Sequence, residues 1–206
     1  SAPWVARRLA YTAVSVIVHP RNPLAEIRME RLAGIYGVGE EFDFNQWRDL
    51  GITDWGKRGI KPLVLNRRYD LSQEMLRNIV LTQKRFRPTV ADAEDPGRMI
   101  DAIRTDEAAI GVLGRVPEGA AVKRLPLAVD DRETALAPTP ENLHFRDYPL
   151  RMPFVVVYPE ASGPAIREVL GALFSEDMAE AIEAEGFVPV PEDVRRRVGM
   201  EIASER

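Results

Sequence analysis

The sequence predicts an α/β protein with a largely parallel sheet. Two observations carry that expectation: short strand-like runs at 13–18, rich in β-branched residues, and at 60–65, 108–113 and 154–158, and segments of helical periodicity between them. A third is negative: no repeat of roughly 20 to 50 residues and no low-complexity tract interrupts the alternation.

The elements follow in order. Residues 13–18 stop at His19, Pro20 and Pro23, the pattern of a buried strand leaving into a turn. Residues 26–36 place Ile27, Leu32, Ile35 and Tyr36 near helical spacing, and Gly37 follows as a helix C-terminal glycine would. Residues 39–59 carry Asp, Gly and Trp without sustained periodicity, which reads as a loop with one turn near 45–50, where Trp47 and Trp55 cover core. Residues 60–65 give a second strand. Residues 70–81 give a helix with Leu71, Met75, Leu76 and Ile79 on one face, and Asp70 followed by Gln73 has the form of a capping box.

Residues 97–105 read as a helix, 108–113 as a strand with a glycine inside it, and 122–129 as an edge or connecting strand. The segment 137–153 holds Pro138, Pro140, Pro149 and Pro153, too many for a helix or a central strand, and is expected to be an ordered crossing or a long loop. Residues 154–158 are expected to be a buried strand. Two amphipathic helices over 163–174 and 176–185 lead to the stretch 186–191, and a terminal helix or frayed tail carries Arg195, Arg196 and Arg197.

Composition narrows the function classes. A chain of 206 residues suits one domain, or one split into two lobes. With 45% hydrophobic and 29% charged residues it should fold in water, and no stretch approaches a membrane span. Against 32 acidic residues, 28 Lys and Arg leave a net charge of -4, so there is no global field for nucleic acid and any anion site must be local. The absence of Cys excludes disulfides, thiolate metal sites and a cysteine nucleophile. His19 and His144 have no second metal ligand at helical spacing, and Asp130, Asp131 and Glu133 read as a solvated acidic run. No Gly-x-Ser-x-Gly, Walker or HExxH pattern occurs, so neither catalysis nor a cofactor is expected. The first residues show no export signal; if the natural protein is exported, its signal lies outside this sequence.

Several segments, in order, resemble one family. Val16-Ile17-Val18-His19-Pro20-Arg21-Asn22-Pro23 is similar to a strand and its Asn-Pro turn in the phosphate-binding components of ABC transporters, which are type II periplasmic binding proteins. Leu32-Ala33-Gly34-Ile35-Tyr36-Gly37 resembles that family's helix end, and Trp47-Arg48-Asp49-Leu50-Gly51 its "Trp-x-x-Leu-Gly" loop. Ala109-Ile110-Gly111-Val112-Leu113 resembles a later strand, Pro138 to Asn142 with Tyr148 to Pro153 a return segment, and the stretch 175–191 the last helix and its ending. Together these cover most of residues 11–191.

The resemblance implies two α/β lobes joined by two crossing strands, with ligand clamped between them. On it, 24–130 form a complete second lobe, while 1–19 and 154–206 supply the crossings, at 14–19 and 154–158, and a partial first lobe. The family binds its oxyanion with an Arg followed by Gly-Ser-Gly-Thr at a helix start. The matching place is Asn66 to Ser72, with Arg67 or Arg68 as the Arg, Ser72 near the hydroxyl position and Tyr69 in the loop. The glycines are absent, and Asp70 puts a negative charge where the ligand's should sit. Two readings stay open: Arg67, Arg68, Tyr69 and Ser72 form an anion site, or Asp70 caps its own helix while the arginines lie in solvent or pair with carboxylates.

The resemblance therefore implies capture of phosphate or a related oxyanion for an ABC importer, outside the cytoplasm, with the transporter permease as partner and no chemistry performed. The alternative is a diverged relative that has lost the ligand and serves as a protein-interaction module.

Overall fold

A computed structural model describes residues 3–39, 43–55 and 58–204. The chain opens with β1 (Trp4–Ala13), which sequence reasoning did not foresee, and continues into β2 (Ser15–Val18). β3 (Ile27–Arg28) pairs in parallel register with Leu127 and Ala128, so the helix expected from residue 26 begins only at α1 (Met29–Tyr36). Gly37 closes α1 with φ at -95°, its N–H on Ala33 O at 2.7 Å; the stop does not use the left-handed conformation that a terminal glycine suggests.

A short 3₁₀ turn (Trp47–Leu50) fills the expected loop, where the Trp47 side chain is fully buried and its indole N–H donates to Ala108 O at 3.2 Å. After β4 (Lys61–Leu65), the helix expected over 70–81 is divided into α2 (Ser72–Met75) and a wider π turn (Leu76–Val80). Met75 and Leu76 are buried but Leu71 and Ile79 are exposed: Leu71 is the N-cap, outside the helix, and Ile79 lies in the π turn, whose wider pitch moves it off the expected apolar face. The capping box does not form: the N-cap is Leu71, and Asp70 accepts from Ser72 rather than Gln73.

β5 (Ala91–Ala93) precedes α3 (Pro96–Thr105), which is capped by the Asp95 carboxylate accepting from Arg98 N at 2.8 Å with Pro96 in the first turn. β6 (Ala109–Leu113) follows, and the expected strand over 122–129 is two pieces in different sheets, β7 (Lys123–Leu125) and β8 (Leu127–Ala128).

The proline-rich segment contains a helix after all, α4 (Pro140–Phe145). Thr139 caps it and Pro140 sits where the missing N–H costs nothing, so this proline starts the helix instead of forbidding it. β9 (Arg151–Pro159), α5 (Arg167–Leu173), α6 (Glu176–Ala184), β10 (Val188–Pro189) and α7 (Glu192–Ser204) complete the chain.

The chain divides into two compact units. Unit II comprises Val14–Pro138 and Tyr148–Leu150, and unit I the rest of the described residues. The sheet of unit II has the order β5-β4-β6-β2-β7. β4 is parallel to β5 and β6, whereas β2 runs antiparallel to β6 and β7, so the sheet is mixed rather than largely parallel. The connections between the parallel strands β4, β5 and β6 run through α2 and α3, whereas β6 leads to its neighbour-but-one β7 without a helix.

Every residue of β2 and β6 is buried, which requires cover on both faces. On one side Ile17, Leu65, Met99, Ile103, Ala109 and Leu113 form a core with α3. The buried Tyr36 hydroxyl lies 3.2 Å from Leu63 O and 3.1 Å from Ile110 O, and its burial raises its pKa far above the ordinary phenol value.

The sheet of unit I has the order β10-β1-β9 and is antiparallel. β9 alternates between covered and exposed positions instead of being buried throughout, because one face of the β1–β9 pair is bare. Val155 pairs with Arg8, Val157 with Ala6 and Pro159 with Trp4, which places these residues on one face, where Val155, Val157 and Trp4 are 44%, 56% and 66% exposed. On the other face Arg7 donates to Tyr158 Oη at 2.9 Å and pairs with Glu201 of α7 at 2.8 Å.

Candidate functional site

In unit II the loops that follow β4 and β6 leave the same end of two parallel neighbours, the end at which open α/β sheets bind ligands. The loop after β4 is folded by Asn66: its O accepts from Tyr69 N at 3.0 Å and its side chain from Arg68 N at 3.2 Å. That turn leaves Arg67, Arg68 and Tyr69 exposed and carries the chain to Asp70. The Arg68 guanidinium lies 4.8 Å from the Tyr69 ring centroid and donates to the Tyr69 hydroxyl at 3.0 Å. Arg67 has no ion-pair partner among the described residues.

The Asp70 carboxylate sits at the centre. One oxygen accepts from Ser72 N and the other from Gly114 N, each at 2.8 Å, so a single anion bridges the loop after β4 to the loop after β6. A Cβ on Gly114 would lie 3.0 Å from the Asp70 Oδ2, so a larger residue there would require the carboxylate to shift by a few tenths of an ångström. Ser72 is fully buried, and its hydroxyl has no hydrogen-bond partner among the described residues.

The structure thus brings Arg67, Arg68 and Tyr69 into one loop that ends at Ser72, the first residue of α2, with no carboxylate partner for either arginine among the described residues. Asp70 holds its own following N–H, as one reading expected, but it also reaches across to Gly114. That glycine, immediately after an apolar strand, was the signal sequence reasoning passed over.

An open hollow of about 690 Å³ lies at the opposite ends of β4 and β6, lined by His19, Arg21, Arg58, Lys61, Asp106 and Glu107 among others. Its cations are all paired, with one positive charge in excess: Lys61 meets Asp106 at 2.6 Å, Arg21 meets Glu107 at 2.9 Å, and Arg58 also pairs with Glu107. Hydrogen bonds from Lys61 and from Arg58 hold Asp106 and Glu107, respectively, below the ordinary carboxylate pKa. Among the described residues no group of three or more His, Cys, Asp or Glu could hold a metal ion, and no helix is long and apolar enough to cross a membrane. Asp130, Asp131 and Glu133 are exposed, with Asp131 paired to Arg28 at 3.1 Å.

Comparison of the fold with solved structures is decisive. A possible phosphate binding protein from Planctomyces limnophilus superposes with a TM-score of 0.80 at 18% identity, over 99% of this chain and 73% of its own. The chain has the type II periplasmic-binding-protein fold. An ABC-type phosphate transport receptor from Vibrio cholerae shares this fold with a TM-score of 0.67 at 19% identity, over 90% of this chain and 72% of its own.

In sequence, the chain is 25% identical over 206 residues to the phosphate-binding protein PstS of Pseudomonas aeruginosa, an alignment that takes in 94% of this chain and 62% of that relative. The chain is therefore similar to phosphate-binding members of the type II fold and spans less than two thirds of the curated relative's length. No family model matches it.

Proposed function

We propose that the chain captures phosphate or a related oxyanion for an ABC importer, outside the cytoplasm, and performs no reaction on it. The observation that carries this reading is the convergence of two main-chain N–H groups, Ser72 and Gly114, on the chain's own Asp70 carboxylate at the carboxyl ends of β4 and β6, which shows that these loops can hold an anionic group, beside Arg67 and Arg68. Oriented amides and planar guanidinium groups recognise oxyanions without covalent chemistry. In this reading Arg67 and Arg68 supply charge, the Ser72 hydroxyl supplies a donor, and Tyr69 positions Arg68. The relatives' description as phosphate-binding and phosphate-transport proteins supports the ligand class, and the importer permease is the partner that description implies.

Calorimetric titration with phosphate, sulfate and molybdate at low ionic strength tests the proposal, run beside an Arg67→Ala, Arg68→Ala variant. Saturable binding that weakens in the variant is expected. Equal binding in both would remove the arginines from the site, and no heat with any anion would end the capture reading. A second reading, a module that recruits another protein, draws on the bare face at Trp4, Val155 and Val157 in unit I.

A further inference from the structure

Unit II carries a second ionic cluster, at the strand ends that face away from the loops after β4 and β6. β2 runs antiparallel to β6, so His19 and Arg21, which follow β2, emerge where the chain enters β4 past Arg58 and enters β6 past Asp106 and Glu107. These residues line the open hollow of about 690 Å³. We propose that the hollow is a docking site for an acidic segment of a partner protein, a short run of Asp or Glu side chains. It stands apart from the solute site, at the other ends of the same strands, so partner and solute do not compete.

Three observations carry the proposal. The charges are layered: side-chain exposure is 23% for Glu107 and 37% for Asp106, against 79% for Arg21, 66% for Lys61 and 50% for Arg58. A partner arriving from solvent therefore meets cations first, with the carboxylates beneath them. Glu107 serves both Arg21 and Arg58, each through one terminal nitrogen, and the other terminal nitrogen of each has no hydrogen bond among the described residues. A guanidinium held by one prong keeps the second for another carboxylate. His19 Nδ1 accepts from Arg21 N at 3.1 Å, which puts the proton of the neutral ring on Nε2 and adds a donor to the residues lining the hollow.

The same exposure decides what kind of occupant fits. An ion pair in solvent contributes about 0–1 kcal/mol, so a small free anion is held weakly by any one of these cations. Several carboxylates on one segment engage Arg21, Arg58 and Lys61 together, each later contact being intramolecular once the first has formed. The chain as a whole carries a net charge of -4, so a locally positive rim also orients the approach of an acidic partner.

The test titrates the chain with a fluorescein-labelled oligoglutamate peptide at low ionic strength, followed by anisotropy, beside an oligoglutamine peptide of the same length. Saturable binding of oligoglutamate alone is expected. It should weaken about tenfold or more in Arg21→Gln, Lys61→Gln, decline as salt is added, and stay unchanged in Arg67→Ala, Arg68→Ala. Both substituted side chains are exposed, so the variant should unfold at the wild-type midpoint; Arg21→Gln alone, at the most exposed of the three cations, serves if the double variant unfolds early. Equal affinity in wild type and in these variants, or equal binding of oligoglutamine, would overturn the proposal. No peptide binding by wild type would overturn it too, and attachment to phosphatidylglycerol and phosphatidylcholine vesicles in its place would give the cations to a membrane surface.

Discussion

In unit II β6, which leads to the candidate site, is buried along its whole length, whereas in unit I the long β1–β9 pair is covered on one face and bare on the other. The difference teaches where precision resides. Loops that must hold two amides on one anion to within tenths of an ångström are anchored by β4 and β6, and β6 has no exposed residue that could tolerate a shift. The pairing of Trp4, Ala6 and Arg8 with β9 gives an exposed surface instead, on which Trp4, Val155 and Val157 stand beside Arg8.

The largest effect that sharpens this contrast is expected from Ile110→Ala in β6. The side chain is fully buried in the doubly covered sheet, and its truncation should cost about 2–5 kcal/mol by denaturant unfolding. A loss below about 1 kcal/mol would mean that unit II is packed no more tightly than unit I.

A smaller effect, confined to unit I, is expected from His144. Its Nδ1 lies 2.9 Å from the Tyr11 hydroxyl, and burial, reinforced by Arg8, Arg197 and Arg151 and opposed by Asp193, lowers its pKa below the ordinary value of 6.5. The unfolded chain therefore takes up this proton first as pH falls. The stability that neutral His144 contributes is complete above the ordinary pKa and declines as pH drops through it. Unfolding midpoints measured across that range should fall with acidification, and His144→Gln should flatten the dependence; an unchanged slope in the variant would remove His144 as its source.

The smallest effect is expected from Val157→Ser on the bare face, within about 0.5 kcal/mol of wild type. A loss as large as that of Ile110→Ala would show that this face is covered in solution.

Much of unit II was legible because its strands are continuous apolar runs: residues 13–18 and 108–113 could hardly be other than buried strands. The same rule misled at 154–158, where three valines in succession read as buried although alternate ones face outward; periodicity cannot assign a face when every residue is apolar. β1 was missed for the opposite reason, since Arg7 and Arg8 interrupt its pattern, and only the tertiary partners Tyr158 and Glu201 explain Arg7. For the candidate site the resemblance pointed to Arg67, Arg68, Tyr69 and Ser72. It could not reveal the bridge from Asp70 to Gly114, because the two residues are 44 positions apart and meet only when β4 and β6 pair.

The central claim is that oxyanion recognition belongs to the loops after β4 and β6. Its most direct test is a residue-resolved titration of backbone amide chemical shifts with phosphate. Saturable shifts are predicted at Ser72 and Gly114, extending to Arg67, Arg68 and Tyr69, with unit I unmoved. Shifts centred instead on His19, Arg21, Arg58 and Lys61 at the opposite ends of the strands would contradict the account, as would none at all.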